Sequence, residues 1–160
     1  MIKKGLPVQG IINSRYYCWW LYGAVATGTF ITVLDQSATA IVTPKIAEEF
    51  GSDIPTAQWL AIGYMLSVSA LMMPAGALSD LIGRKTAWLT GLSIFVLSSA
   101  LASLAPSFGS ILTAKIIMGI GASAVQANGM AMIASAFDDD QRGKALGLHM
   151  TVVGIGAIGG

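Results

Sequence analysis

Apolar residues fall in blocks of membrane-spanning length along this chain, separated by short polar breaks. A bilayer core takes about 20 mostly apolar residues per helix. By that measure the blocks at about 19–42, 59–78, 86–105 and 111–137 each predict a spanning helix. A fifth helix begins near 145 and is still running at 160. Thr43 and Pro44 predict the end of the first helix, and the string KIAEEFGSDIP (45–55) a polar loop. Residues 79–85 predict a tight charged turn, Pro106 and Ser107 a short break, and DDDQRGK (138–144) another polar turn. Residues 1–17 are left as a polar tail and 18–160 as a partial transmembrane bundle. The fold class is that of an all-α membrane protein.

Composition agrees. Hydrophobic residues make up 54% of the 160 residues and charged residues only 11%, with a mean hydropathy of +0.71. A soluble domain carries about 25% charged residues, so most of this surface is expected to face lipid. The net charge of +1 implies no nucleic-acid partner. Lys3, Lys4 and Arg15 lie in the tail, Arg84 and Lys85 in the second break, and Arg142 and Lys144 in the fourth. The opposite side holds only Lys45. That asymmetry predicts a multi-pass plasma (inner) membrane protein with a cytoplasmic N-terminus. Tyr16, Tyr17, Trp19 and Trp20 gather at the entrance of the first helix, and Trp59 and Trp88 also fall at expected interfaces. The first block has two lysines ahead of it, as a signal peptide does. It is too long for one, contains Asp35 and has no small-residue cleavage site, so it reads as a retained helix. Cys18 is the only cysteine, which excludes a disulfide framework or a cysteine metal site. No catalytic triad, metal cluster or phosphate loop is present to suggest an enzyme.

Two ionisable groups fall inside helices, where an isolated charge is costly. Asp35 lies nine residues before Pro44, and Lys115 lies several residues past the 106–107 break. Both sit roughly 10–14 Å from the outer surface at 1.5 Å per residue, so they can meet. Lipid favours the neutral form of a carboxyl group and a nearby ammonium favours the charged form, so a small movement could switch its protonation. Proton carriage by Asp35, tuned by Lys115, is one reading. A static ion pair, or a Lys115 that snorkels to the interface, is the other. Lys115, Gly119, Ala122 and Gln126 share one helix face, which suits either a cavity wall or a helix contact. Asn128 is expected to bond between helices, and His149 to be packed or hydrated near the cytoplasmic surface. In the fifth helix Gly156 and Gly160 share one face and Gly143, Gly147 and Gly154 roughly the opposite one, which predicts packing between two neighbours.

The second break, Gly76, Asp80, Gly83, Arg84 and Lys85 at this spacing, resembles the loop signature between helices 2 and 3 of the major facilitator superfamily. Leu81 stands where that family usually has arginine. Leu34, Asp35 and Ser37 with Pro44 and Ile46 resemble the first-helix motif of its drug/proton antiporters, the fourteen-helix branch above all. The stretch of Lys115, Met118, Gly119, Gly121 and Ala122 resembles the fourth-helix motif, with Lys115 in place of the usual arginine and Met118 in place of glutamine. Gly147, Gly156 and Gly160 match the glycine spacing of the fifth-helix antiporter motif. The resemblance covers about 30–160 and implies the first four helices, and most of the fifth, of the six-helix N-terminal bundle of a transporter with twelve or fourteen.

The resemblance implies proton-coupled efflux of hydrophobic or cationic small molecules, driven by the proton gradient without a cofactor or metal. Asp35 and Lys115 would couple the proton, Gln126 would line the cavity, and Gly76, Asp80, Gly83, Arg84 and Lys85 would form a cytoplasmic gate. In that gate Asp80 would accept hydrogen bonds from a neighbouring helix N-terminus. Partners would be the bilayer, a small-molecule substrate, protons and the remaining helices of the same transporter. A solute importer or uniporter of the same superfamily, or a truncated fragment that does not transport, are the alternatives.

Overall fold

A glycine, not the proline, ends the first helix. In the computed structural model, which describes residues 15–160, α1 runs Arg15–Glu49 with Pro44 inside it. Proline removes a single N–H donor from the ladder, and the alanine- and glutamate-bearing turn after it resumes the helix. Gly51, at φ +60°, takes the left-handed position just past the end. The Gly51 N–H donates to the Glu48 carbonyl (3.3 Å) and the Ser52 N–H to that of Ala47 (2.9 Å), the paired bonds of a Schellman cap. The expected stop at Thr43 and Pro44 is therefore corrected to Glu49. The expected 45–55 loop shrinks to the few residues before α2 (Ile54–Ala57), which has Pro55 in its first turn. At the other end α1 takes in Arg15, earlier than the expected tail boundary. Lys3 and Lys4 lie outside the described residues.

α3 spans Trp59–Ile82 and α4 Arg84–Ser103, so the charged break expected at 79–85 is a single residue. Gly83 makes this possible at φ +92° and ψ 134°, a conformation closed to side-chain-bearing residues. Its N–H caps α3 on the Ser79 carbonyl, and its own carbonyl accepts the Ala87 N–H to open α4. Gly83→Ala is expected to destabilise the protein by about 1–3 kcal/mol. A fall in the thermal unfolding midpoint in detergent checks it.

α5 spans Phe108–Ala136, with Ser107 as N-cap accepting from the Ser110 N–H at 3.3 Å. α6 spans Asp139–Gly159, beginning six residues before the expected start. Asp139 and Asp140 occupy its first turn, where the helix dipole favours anions, so the string read as a polar turn is helical. Among the described residues four stretches, Cys18–Glu49, Ile54–Ile82, Arg84–Ser103 and Phe108–Ala136, are long and apolar enough to cross a membrane. α6 is not among them; Asp139, Asp140, Arg142 and Lys144 all fall in its first two turns. Trp20, Met73, Leu81 and Ile158 stand largely exposed, an apolar outer surface suited to lipid.

α5 is the axis of the bundle. A Cβ on Gly121 would lie 2.5 Å from the Gly91 carbonyl oxygen and 2.7 Å from the Phe95 nitrogen, so α4 touches α5 backbone to backbone. On another face a Cβ on Gly119 would lie 2.8 Å from the Tyr64 carbonyl of α3. α1 covers α5, and α6 packs mainly on α1. One apolar cluster joins Val25, Trp88, Val125, Met132, Ile133, Phe137 and Ala145, and another joins Tyr64, Phe95, Met118 and Ala122.

Candidate functional site

Contact order fixes the directions of the helices around Asp35. Gly156 meets Phe30 and Val33, and Gly160 meets Leu34, Ser37 and Ala38, so α6 runs parallel to α1. Lys115 reaches Asp35 and Thr39 while Gly129 meets Val25 and Thr29, so α5 runs antiparallel to α1. These directions bring Asp35 and Lys115 to one level.

The Lys115 ammonium donates to both carboxylate oxygens of Asp35, at 3.0 Å to Oδ1 and 2.9 Å to Oδ2, and to the Thr39 hydroxyl at 2.8 Å. All three of its N–H bonds are thereby used. The Thr39 hydroxyl is free to accept because its own hydrogen goes to the Asp35 carbonyl at 2.7 Å. The Tyr64 ring lies 6.0 Å from the Lys115 Nζ, and the Tyr64 hydroxyl donates to the Thr32 carbonyl at 3.5 Å. Lys115 is only 9% exposed and the Asp35 side chain 24%, so the pair is closed on the lysine side and open on the aspartate side. An ion pair of zero net charge is a tolerable way to hold a carboxylate at membrane depth.

The backbone behind Asp35 is fixed by glycine. A Cβ on Gly160 would come within 2.5 Å of the Leu34 carbonyl, and the Ser37 hydroxyl donates to the Ala157 carbonyl at 3.0 Å. Gly156 continues that face. Gly147, like Gly143 and Gly154, has nothing within reach of a Cβ among the described residues, so only one glycine face of α6 is packed.

The face of Lys115 continues through Gly119, against Tyr64 and Ser67, and Ala122, in the Phe95 cluster. Helix packing occupies that part of the stripe, while Gln126 beyond it is half-buried. Asn128 is buried, but its amide donates to the Ala124 carbonyl at 2.8 Å within α5, and it makes no bond between helices among the described residues. His149 is buried at 3% exposure, with Nδ1 unpartnered among the described residues.

The candidate gate lies far from the pair. Asp80 meets Arg84 at 3.7 Å in an exposed contact, a geometry worth at most about 1 kcal/mol. Among the described residues Asp80 is paired only with Arg84. Arg84 also donates to the Ala131 carbonyl at 3.4 Å, linking the start of α4 to α5. Lys85 is exposed, and Gly76 has open space around it, its carbonyl accepting from the Ser79 hydroxyl at 2.6 Å.

Sequence reasoning missed Tyr64 and a ladder of threonines. Thr29, Thr32, Thr39 and Thr43 are buried at 4, 0, 8 and 6% exposure. With Asp35 they sit at spacings of three and four along α1 and share its inner face. That spacing was the available signal. Thr32 and Thr43 donate to the carbonyls of Thr29 and Thr39, at 2.8 and 2.6 Å.

The sequence model of the Major Facilitator Superfamily matches residues 25–160. Over 89% of its length the chain is 33% identical to the riboflavin transporter RibZ of Clostridioides difficile, covering 31% of that protein. It is 32% identical over 86% of its length to the multidrug resistance protein Stp of Mycobacterium tuberculosis, covering 26% of it. It is also 31% identical over 81% of its length to the methylenomycin A resistance protein of Streptomyces coelicolor, covering 28%. The chain thus spans less than a third of the length of these relatives.

Proposed function

Because this chain belongs to the Major Facilitator Superfamily, we propose that it supplies part of the N-terminal bundle of a proton-coupled exporter of hydrophobic or cationic small molecules. The observation that carries the reading is the Asp35–Lys115 pair, partly buried between α1 and α5. Asp35 takes up a proton on its open side and Lys115 then loses its counter-charge. The carboxylate and the carboxylic acid therefore favour different arrangements of α1 against α5. Superfamily transporters expose a midplane site alternately by rocking bundles of helices, and a change in that contact is one way to bias the rocking. The lysine and arginine distribution supports a cytoplasmic N-terminus in the plasma membrane, with the Gly76–Lys85 region as a gate on that side. The similarity to multidrug and methylenomycin resistance proteins supports export.

The test uses the protein expressed from its complete reading frame and reconstituted in liposomes, with ethidium as the probe and a pH dye as readout. Ethidium is expected to drive proton movement in the wild type and none in Asp35→Asn, which still binds ethidium. Undiminished coupling in Asp35→Asn overturns the reading. Similarity to a riboflavin transporter favours a second one, a solute importer or uniporter. Riboflavin uptake into right-side-out vesicles without ethidium-driven proton movement selects it.

A further inference from the structure

Of the acceptors around the Lys115 ammonium, two are the carboxylate oxygens of Asp35, and the third keeps its character when Asp35 gains a proton. That third acceptor is the Thr39 hydroxyl, at 2.8 Å. Thr39 stands one turn past Asp35 on the same face of α1. Its own hydrogen is committed to the Asp35 backbone carbonyl at 2.7 Å, which holds the side chain against the preceding turn and leaves its oxygen to accept from α5. Thr39 is 8% exposed and Lys115 9%, so bulk water does not replace this acceptor. The Tyr64 ring, 6.0 Å from the Lys115 Nζ, offers a π face at the limit of a cation–π contact rather than a lone pair.

The two protonation states of Asp35 lean on Thr39 unequally. With the carboxylate charged, two N–H bonds of the ammonium go to an anion and only the third needs Thr39. When a proton from water adds to one carboxylate oxygen, an O–H bond forms there and the negative charge is lost. That oxygen becomes a donor, and the ammonium is left with the carbonyl oxygen of the acid and with Thr39. A buried cation short of acceptors is strongly disfavoured, so the Thr39 bond counts most once Asp35 is neutral. Among the described residues the titratable groups that face Asp35 are Lys115 of α5 and Tyr64 of α3. α6 brings Ala157, Gly159 and Gly160 to this level, none of which titrates, and α2 contains no titratable residue. The next such group along α1 is Lys45, about 15 Å further on at 1.5 Å per residue.

We propose that Thr39 is a positioning residue for the proton carried by Asp35, its hydroxyl holding the Lys115 ammonium on α1 while the carboxyl is protonated. The proposal rests on the proton-coupled reading above. Thr39 touches neither the proton nor the carboxylate oxygens; it acts through Lys115. By giving the ammonium an acceptor that survives neutralisation, it stabilises the protonated state more than the ion pair. It thereby raises the pH at which Asp35 takes up its proton, and it keeps α5 tethered to α1 when the attraction between the charges is gone. Thr43, whose hydroxyl donates to the Thr39 carbonyl at 2.6 Å, continues the same face of α1 below this anchor.

The test uses the protein from its complete reading frame in liposomes and follows the protonation of Asp35 against pH by infrared spectroscopy. The signal is the carboxylic acid C=O band that Asp35→Asn removes. Ethidium-driven proton movement is recorded over the same pH range. Thr39→Val keeps the shape of the side chain and removes the acceptor. It is expected to move the midpoint of the band, and the pH profile of coupling with it, toward acid by about one pH unit. Thr39→Ser keeps the hydroxyl and is expected to restore the wild-type midpoint. A midpoint in Thr39→Val that stays in place or moves toward alkali overturns the proposal, whatever happens to thermal stability. So does a midpoint in Thr39→Ser displaced as far as that of Thr39→Val. Thr39→Cys, with a weakly accepting sulfur, covers the case of a valine variant that does not accumulate. It is expected to shift in the same acid direction, and an unmoved midpoint there overturns the proposal equally. Coupling that persists in Asp35→Asn rejects the proton-coupled reading itself. Uncoupled Asp35→Asn beside an unshifted Thr39→Val rejects the role of Thr39 alone.

Discussion

Lys115→Met is expected to be among the most damaging single changes in α5, although methionine fills nearly the same volume. The ammonium holds both oxygens of Asp35 and the Thr39 hydroxyl with one side chain that is almost wholly buried. Removing it leaves a carboxylate beside lipid-facing helices with no counter-charge, a loss of about 3–5 kcal/mol. The loss belongs mainly to the abandoned partner rather than to the missing attraction. Removing both charges should therefore be milder than removing one. Asp35→Asn with Lys115→Met is expected to recover most of the thermal stability that Lys115→Met loses. The unfolding midpoints of the four proteins of this cycle in detergent measure the coupling directly. Additive losses would mean that the pair contributes nothing as a pair.

Gly121→Leu should be comparably severe for a different reason. Its Cβ alone would lie 2.5 Å from the Gly91 carbonyl and 2.7 Å from the Phe95 nitrogen, both backbone atoms that cannot swing aside. α4 and α5 must part along their closest contact, uncovering the buried Phe95 and Met118. Overpacking costs about 1–3 kcal/mol where side chains can adjust, and more is expected where two backbones must separate. Membrane helices gain their association from such close approach, so the expected result is a poorly accumulating, protease-sensitive protein. Gly109→Leu, in open space by the same measure, serves as the control and should behave as the wild type.

The sequence made the helix centres and the ion pair legible, because each follows from a cost that lipid imposes without regard to detail. Apolar blocks of about 20 residues must span, and two charges at matching depth must meet. Helix ends followed finer rules. Pro44 looked like a stop, yet one missing N–H is tolerated, and the left-handed Gly51 was the terminator. The aspartates of 138–140 looked like a loop and instead start α6. Asn128 looked like a bond between helices because its burial was foreseeable but its rotamer was not; a carbonyl one turn back was nearer. The threonine ladder escaped notice because threonine contributes little to any hydropathy pattern, and its meaning depends on what the opposite helices lack.

The two connections flanking α3 also differ in how they would receive foreign sequence. After α1 the chain spends several residues beyond the Gly51 cap before α3 begins, and Gly51 itself borders open space. At the other end Gly83 alone joins α3 to α4, bonded to both helices through its N–H and its carbonyl. An epitope or fluorescent tag spliced after Ser52 can leave the helices in register. The same tag beside Gly83 would pull apart two rods that share one residue. Accessibility labelling of the first insertion then reports, from outside or inside an intact cell, which way this bundle is threaded.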